Sequence, residues 1–133
     1  MSATAPGLRD LSEAECWALL DRARLGLLGV VAPDGPDLFP IDFIVSERSL
    51  LFRSAPGEKL MQLRAEPRVA LAAEGVDREG QWSVVVRGRA RRLDADDEIE
   101  ASGVLELQPA APGEKANFVR ITPSSVTGRR LPA

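Results

Sequence analysis

Leu50-Leu51-Phe52-Arg53-Ser54-Ala55-Pro56-Gly57-Glu58-Lys59-Leu60 reads as an apolar strand, a short polar turn and the start of a helix. Proline suits the first helical turn, because its missing N–H is one of the donors that lack an intrahelical partner there. The N–H groups of Gly57, Glu58 and Lys59 would then point back towards Arg53 and Ser54. Unpaired donors, a hydroxyl and two cations at a helix N-terminus suit a phosphate. The same residues also describe an ordinary strand-to-helix turn with two solvated bases. On this stretch alone the plainer reading is the stronger.

Upstream, Asp37 to Glu47 alternates, with Phe39, Ile41, Phe43 and Val45 on one face, and Pro40 marks an edge or a bulge because it lacks a ladder donor. The apolar run Leu25 to Ala32 precedes it across Pro33-Asp34-Gly35-Pro36, and Ser46-Glu47-Arg48-Ser49 leads on to Leu50. These short links predict three consecutive antiparallel strands. Ser12-Glu13-Ala14-Glu15 is a capping box, with Leu11 placed to staple onto Cys16. Cys16, Leu19, Leu20 and Ala23 give one apolar helix face, ending near Gly26. Cys16 on that face is a structural thiol rather than a nucleophile. Residues 1–10 read as an N-terminal tail.

Downstream, the helix buries Leu60 and Leu63 and stops before Pro67. Arg68 to Val76 is a strand, Asp77-Arg78-Glu79-Gly80 turns it, and Trp82 to Leu93 is the longest strand, easiest to bend at Gly88. Trp82, Val84, Val86 and Ala90 share one face and Arg87, Arg89 and Arg91 the other. No aromatics interleave with the arginines to stack bases, so that row is a solvated face rather than an RNA surface. Asp94 to Ser102 reads as an acidic helix stopped by Gly103, and Gln108 to Lys115 as a loop. Ala116 to Thr122 and Val126 to Leu131 read as two final strands. The sum is a mainly β chain with short helices, six or seven strands in a small antiparallel barrel, forming one domain over residues 11–133.

The chain has 133 residues, 44% hydrophobic and 28% charged, with a net charge of −3. That balance suits a globular domain and gives no overall positive field for nucleic acid. One cysteine excludes an intrachain disulfide and a thiolate metal cluster. The absence of histidine and tyrosine removes the commonest general base, the His-containing triads and nearly every zinc site. No signal peptide or bilayer-length apolar run is present, so a cytoplasmic protein without membrane or nucleic-acid partners is expected.

Three groups of segments, in this order, resemble the pyridoxamine 5′-phosphate oxidase-like family of flavin-binding split barrels. They are Phe39-Pro40-Ile41-Asp42-Phe43-Ile44-Val45 with Leu51 to Leu60; Pro67-Arg68-Val69-Ala70 with Trp82 to Ala90; and Val119-Arg120-Ile121-Thr122-Pro123 with Val126-Thr127-Gly128-Arg129-Arg130. The resemblance implies a homodimeric split β-barrel with FMN at the subunit interface. It assigns phosphate contacts to Arg53, Ser54 and Lys59, with Gly57 in the same turn, and main-chain contacts to the ring from Pro40, Ile41, Asp42 and Phe43. Ser83, with Trp82 beside it, would lie near the flavin pyrimidine. With the resemblance added, the phosphate reading of the Arg53–Lys59 turn overtakes the plainer one.

The chain also departs from the family. Relatives often have Asn-Tyr where Asp42-Phe43 stands, and Trp where Ala110 and Phe118 stand. A carboxylate at Asp42 facing a flavin would disfavour the anionic reduced ring. The oxidase's C-terminal substrate-binding segment has no counterpart, so vitamin B6 activity is not expected. The leading expectation is an FMN-dependent oxidoreductase acting on a small molecule, with the cofactor supplying the chemistry. The deazaflavin F420 is the alternative cofactor, and Arg87, Arg89 or Arg129 would meet its longer polar tail. A non-enzymatic or degenerate flavin module is the other class, and haem is disfavoured for want of an axial histidine.

Overall fold

The computed structural model describes residues 7–54, 58–93 and 117–132, with backbone alone for residues 58–60 and 117. Helix α1 (Glu13–Ala23) opens with the capping box read from sequence: the Ser12 hydroxyl accepts from the Glu15 N–H, and the Glu15 carboxylate accepts from the Ser12 N–H. Its buried face is Cys16, Trp17, Leu19 and Leu20. The helix stops at Arg24, in the left-handed conformation with φ 63°, rather than near Gly26. Gly26 serves packing instead, because a β-carbon there would stand 2.9 Å from the Ala72 carbonyl oxygen.

Strands β2 (Leu25–Ala32) and β3 (Gly35–Asp42) form a hairpin across Pro33-Asp34. β4 (Ile44–Ser46) and β5 (Ser49–Ser54) form another across Glu47-Arg48. Helix α2 (Glu58–Ala65) follows, then β6 (Arg68–Asp77), β7 (Gly80–Arg92) and β8 (Asn117–Leu131). The strand order is β3-β2-β6-β7-β8-β5-β4, antiparallel throughout, giving the curled split barrel expected from sequence. Arg9–Asp10, within the stretch read as a tail, is a short strand β1 against the end of β8.

Two expectations are revised here. The run Asp37 to Glu47 is not one strand in a three-strand meander: β3 and β4 lie at opposite ends of the strand order. Phe43 is the hand-over residue between them, fully buried, with its N–H bonded to the Arg24 carbonyl at 2.9 Å. A single stretch of chain therefore supplies both edges of the sheet, which curls to bring them round. The two final strands are one, β8, with an irregularity opposite Arg87 and Gly88. Gly88 meets β8 there so closely that a β-carbon would overlap the Thr122 carbonyl oxygen.

Inward residues fill the barrel: Leu28 and Val30 from β2, Leu71 from β6, Val84 and Val86 from β7, Leu50 and Phe52 from β5, and Ile121 from β8 are all at most 2% exposed. Arg87, Arg89 and Arg91 are exposed on the outer face, as expected. Among the described residues no helix is long and apolar enough to cross a membrane, and no cluster of ligating side chains could hold a metal ion. The expected acidic helix and loop between Asp94 and Lys115, and the residues Gly57 and Ala110, lie outside the described residues.

Candidate flavin site

Alternation along an antiparallel strand decides what β3 can offer. Asp42 stands opposite Leu25, while the next residue, Phe43, donates its N–H to Arg24. Asp42 and Leu25 are therefore a non-hydrogen-bonded pair, and the N–H and C=O of Asp42 point away from β2. Two residues back, Pro40 stands opposite Leu27 and points its C=O the same way, with no N–H to leave unpaired. Among the described residues β3 ends the strand order, so this is an edge without a further strand, carrying acceptors at residues 40 and 42 and a donor at residue 42. The side chains of Ile41 and Phe43 belong to the core, at 6% and 0% exposure. Only main chain and the half-buried Asp42 face a ligand from this strand.

The free edge runs beside β5, which β3 approaches without pairing. At the end of β5, Ser54 is buried and Arg53 half-buried, its guanidinium 5.3 Å from the centroid of the Phe118 ring. Arg53 stands directly opposite Phe118 and Ser54 opposite Asn117. Stacking on an aromatic face helps to fix where a guanidinium sits. α2 begins four residues after Ser54, with the Lys59 backbone in its first turn; the Lys59 side chain and Gly57 lie outside the described residues. A planar polar edge and a cationic strand end thus lie side by side at the split in the barrel.

Trp82 and Ser83 do not join them. They stand opposite Arg130 and Arg129 near the far end of β8, whereas Arg53 stands opposite Phe118 near its start. Roughly 36–40 Å of strand separates the two places, at about 3.3 Å per residue. Trp82 is buried, its indole lying across Gly75, where a β-carbon would stand 2.7 Å from the ring. Ser83 is exposed on the outer face between Glu74 and Arg129.

Behind Trp82, Arg130 is 8% exposed and binds both carboxylate oxygens of Asp77, at 2.6 and 3.1 Å. That guanidinium holds the Asp77 carboxyl below its ordinary range, helped by the Glu79 N–H. The turn at Gly80, where φ is 118°, is clamped as a result. Sequence reasoning passed over this pair because the partners are 53 residues apart. Burial pushes the Cys16 thiol up, with Glu15 and Glu13 adding to the shift, as suits a structural cysteine.

Residues 12–130 match the pyridoxamine 5′-phosphate oxidase family. The chain belongs to that family. The FAD binding protein from Mycobacterium smegmatis has the same fold, at 35% identity and a TM-score of 0.78 over 94% of this chain and 99% of that one. A FAD-binding protein from Mesorhizobium loti matches at 30% identity and a TM-score of 0.77, over 92% of this chain and 96% of that one. A protein of Rhizobium meliloti is 32% identical over 108 residues, covering 77% of this chain and 72% of its own. This family member thus has flavin-binding proteins among its near relatives, and the split-barrel expectation stands.

Proposed function

We propose that this protein is an FMN-binding flavoprotein, a homodimer that carries out flavin-dependent oxidation or reduction of a small molecule. The observation that carries the reading is the free edge of β3 beside Arg53 and Ser54. Acceptors at residues 40 and 42 and a donor at residue 42 complement the imide edge of a flavin. The stacked Arg53, the Ser54 hydroxyl and the first turn of α2, with Lys59, complement its phosphate. FAD-binding relatives support a flavin.

A bound flavin would supply hydride or electron transfer, chemistry for which this chain's side chains offer no redox group of their own. The chain's own residues would bind and orient the ring, and the buried side chains of Phe43 and Ile41 anchor the end of β3 that presents the edge. The second copy supplies Trp82 and Ser83, which lie too far along β8 to reach the Arg53 end of their own chain. An apolar outer face supports the pairing: Leu25, Leu27 and Val31 on β2 and Leu38 on β3 are 48–62% exposed side by side. Monomeric proteins rarely leave such a patch uncovered.

The test is the visible spectrum of the purified protein, with mass identification of whatever it releases on denaturation. FMN and riboflavin are then titrated into wild type and Lys59→Ala. A charge-assisted hydrogen bond to phosphate contributes about 1.5–3 kcal/mol, so FMN should bind roughly 10- to 150-fold more weakly and riboflavin almost unchanged. Equal losses for both would mean that Lys59 shapes the pocket instead. A colourless protein that takes up no flavin would overturn the reading.

A further inference from the structure

β3 carries two carboxylates, and the fold treats them differently. Asp37, near the hairpin, is exposed and accepts the Leu38 N–H at 2.9 Å. Asp42 stands at the other end, where the strand edge offers its main-chain acceptors and donor. Ile41 and Phe43 on either side of it turn into the core, at 6% and 0% exposure, so the Asp42 side chain lies on the outer face. There it is half-buried, opposite the apolar Leu25. Among the described residues its carboxylate has neither a hydrogen bond nor an ion pair. The charged groups around it are Arg24, next to Leu25 on the chain, Glu74, two residues past the Leu27–Ala72 pair on β6, and Arg53 at the end of β5. A carboxylate drawn partly out of water without a partner costs free energy, so its charge acts strongly on whatever is bound beside it.

We infer that Asp42 sets the charge of the reduced ring, keeping it neutral so that two electrons enter together with two protons. This rests on the flavin reading above and adds which reduced state the site accepts. The main chain at residues 40 and 42 complements the imide edge, which is the part of the ring that carries negative charge when reduction brings in a single proton. Arg53 and Lys59 are given to the phosphate in that reading, so the charge nearest the imide edge is the Asp42 carboxylate. Two like charges at such a distance disfavour the ionised form of the group that can still take up a proton, here the reduced ring. The balance is then complete: a hydride donor supplies two electrons and one proton, and solvent supplies the second proton.

The test uses the FMN-loaded protein as wild type, Asp42→Asn, Asp42→Ser and Asp37→Asn, reduced with dithionite against a reference dye. The midpoint potential is followed from about pH 7 to about pH 8.5. Each proton taken up with two electrons contributes about 30 mV per pH unit, the value of a tenfold change for a two-electron couple. Wild type and Asp37→Asn should fall by about 60 mV per unit, and both Asp42 variants by about 30 mV. At the alkaline end the Asp42 variants should hold reduced FMN roughly tenfold more tightly than wild type, relative to oxidised FMN. Equal slopes in wild type and Asp42→Asn would overturn the inference. So would a change of the same size in Asp37→Asn, which would trace the effect to net charge, or a disagreement between Asp42→Asn and Asp42→Ser. Uptake of oxidised FMN by wild type, read separately from the spectrum, tests the flavin reading by itself, and its absence would overturn both.

Discussion

Arg130 and Asp77 meet end to end, both guanidinium Nη atoms on both carboxylate oxygens, with Nη1 also 3.5 Å from the Gly80 carbonyl oxygen. Asp77→Asn leaves the Arg130 guanidinium, 9% exposed as a side chain, facing a neutral amide, with the long 3.6 Å pair to the exposed Glu79 carboxylate as its remaining ion pair among the described residues. Asp77→Asn should lower Tm by several degrees, and Asp77→Asn/Arg130→Met should recover part of that loss. A double variant no more stable than Asp77→Asn would show that the charge pair is not what holds the turn.

Stability should fall at low pH. Arg68 donates to Glu66 and holds it at about 2, against an ordinary 4.5, and Arg130 holds Asp77 below its ordinary 3.8. A carboxyl depressed in the folded state stabilises it above the unfolded value and loses that contribution as pH falls through the folded one. Denaturant midpoints should therefore stay level down to about pH 4.5 and decline towards pH 2. Arg68→Gln should make that decline shallower.

Gly88→Ala should be severe. Its β-carbon would overlap the Thr122 carbonyl oxygen and stand 2.9 Å from Pro123 Cα, both of them backbone that cannot rotate away. Overpacking of this kind costs about 1–3 kcal/mol. Urea unfolding should show that loss, and an unchanged midpoint would mean that β8 can slide at its irregularity.

Arg48→Gly should stabilise. Glu47 and Arg48 both hold positive φ, 52° and 57°, in the two-residue turn between β4 and β5. This turn demands the left-handed region at both positions, where a side chain costs roughly 1–2 kcal/mol and glycine costs nothing sterically. Arg48 is given up at little loss, because its one described ion pair, to Glu13, is long at 3.7 Å and exposed. A rise in Tm of a few degrees is expected.

Leu27→Glu should split the dimer proposed above. Leu27 lies between Pro40 and Ala72 on the outer face, 48% exposed, so a carboxylate there disturbs pairing and not the barrel interior. Light scattering should report a monomer with unchanged circular dichroism and weakened flavin binding. A persistent dimer would move the interface elsewhere.

The elements were legible where their signals are local. The capping box at Ser12–Glu15 and the alternation of Trp82, Val84 and Val86 appear where sequence put them. The end of α1 was misread because Gly26 looks like a helix stop, while its lack of a β-carbon answers to Ala72, across the sheet. The hand-over at Phe43 leaves no mark in sequence, since the alternation Phe39, Ile41, Phe43, Val45 continues through it unbroken. The strand-to-helix turn after Arg53 was visible because its residues are contiguous: β5 ends at Ser54 and α2 starts at Glu58. That Trp82–Ser83 stands far from Arg53 was not, because it follows from pairing along β8: β5 meets only its start, from Asn117 to Ile121, whereas Trp82 and Ser83 meet its far end.

Pro40 has a consequence beyond ligand contacts. An exposed strand edge is a template on which another chain can extend the sheet, and through it an aggregate can grow. The outward positions of β3 near its end are residues 40 and 42, and proline at the first removes one of the donors an incoming strand would need. The edge is left able to grip a small flat molecule with few bonds, and poor at recruiting a continuous ladder. The split in the barrel is thereby guarded against continuous strand-to-strand pairing along β3.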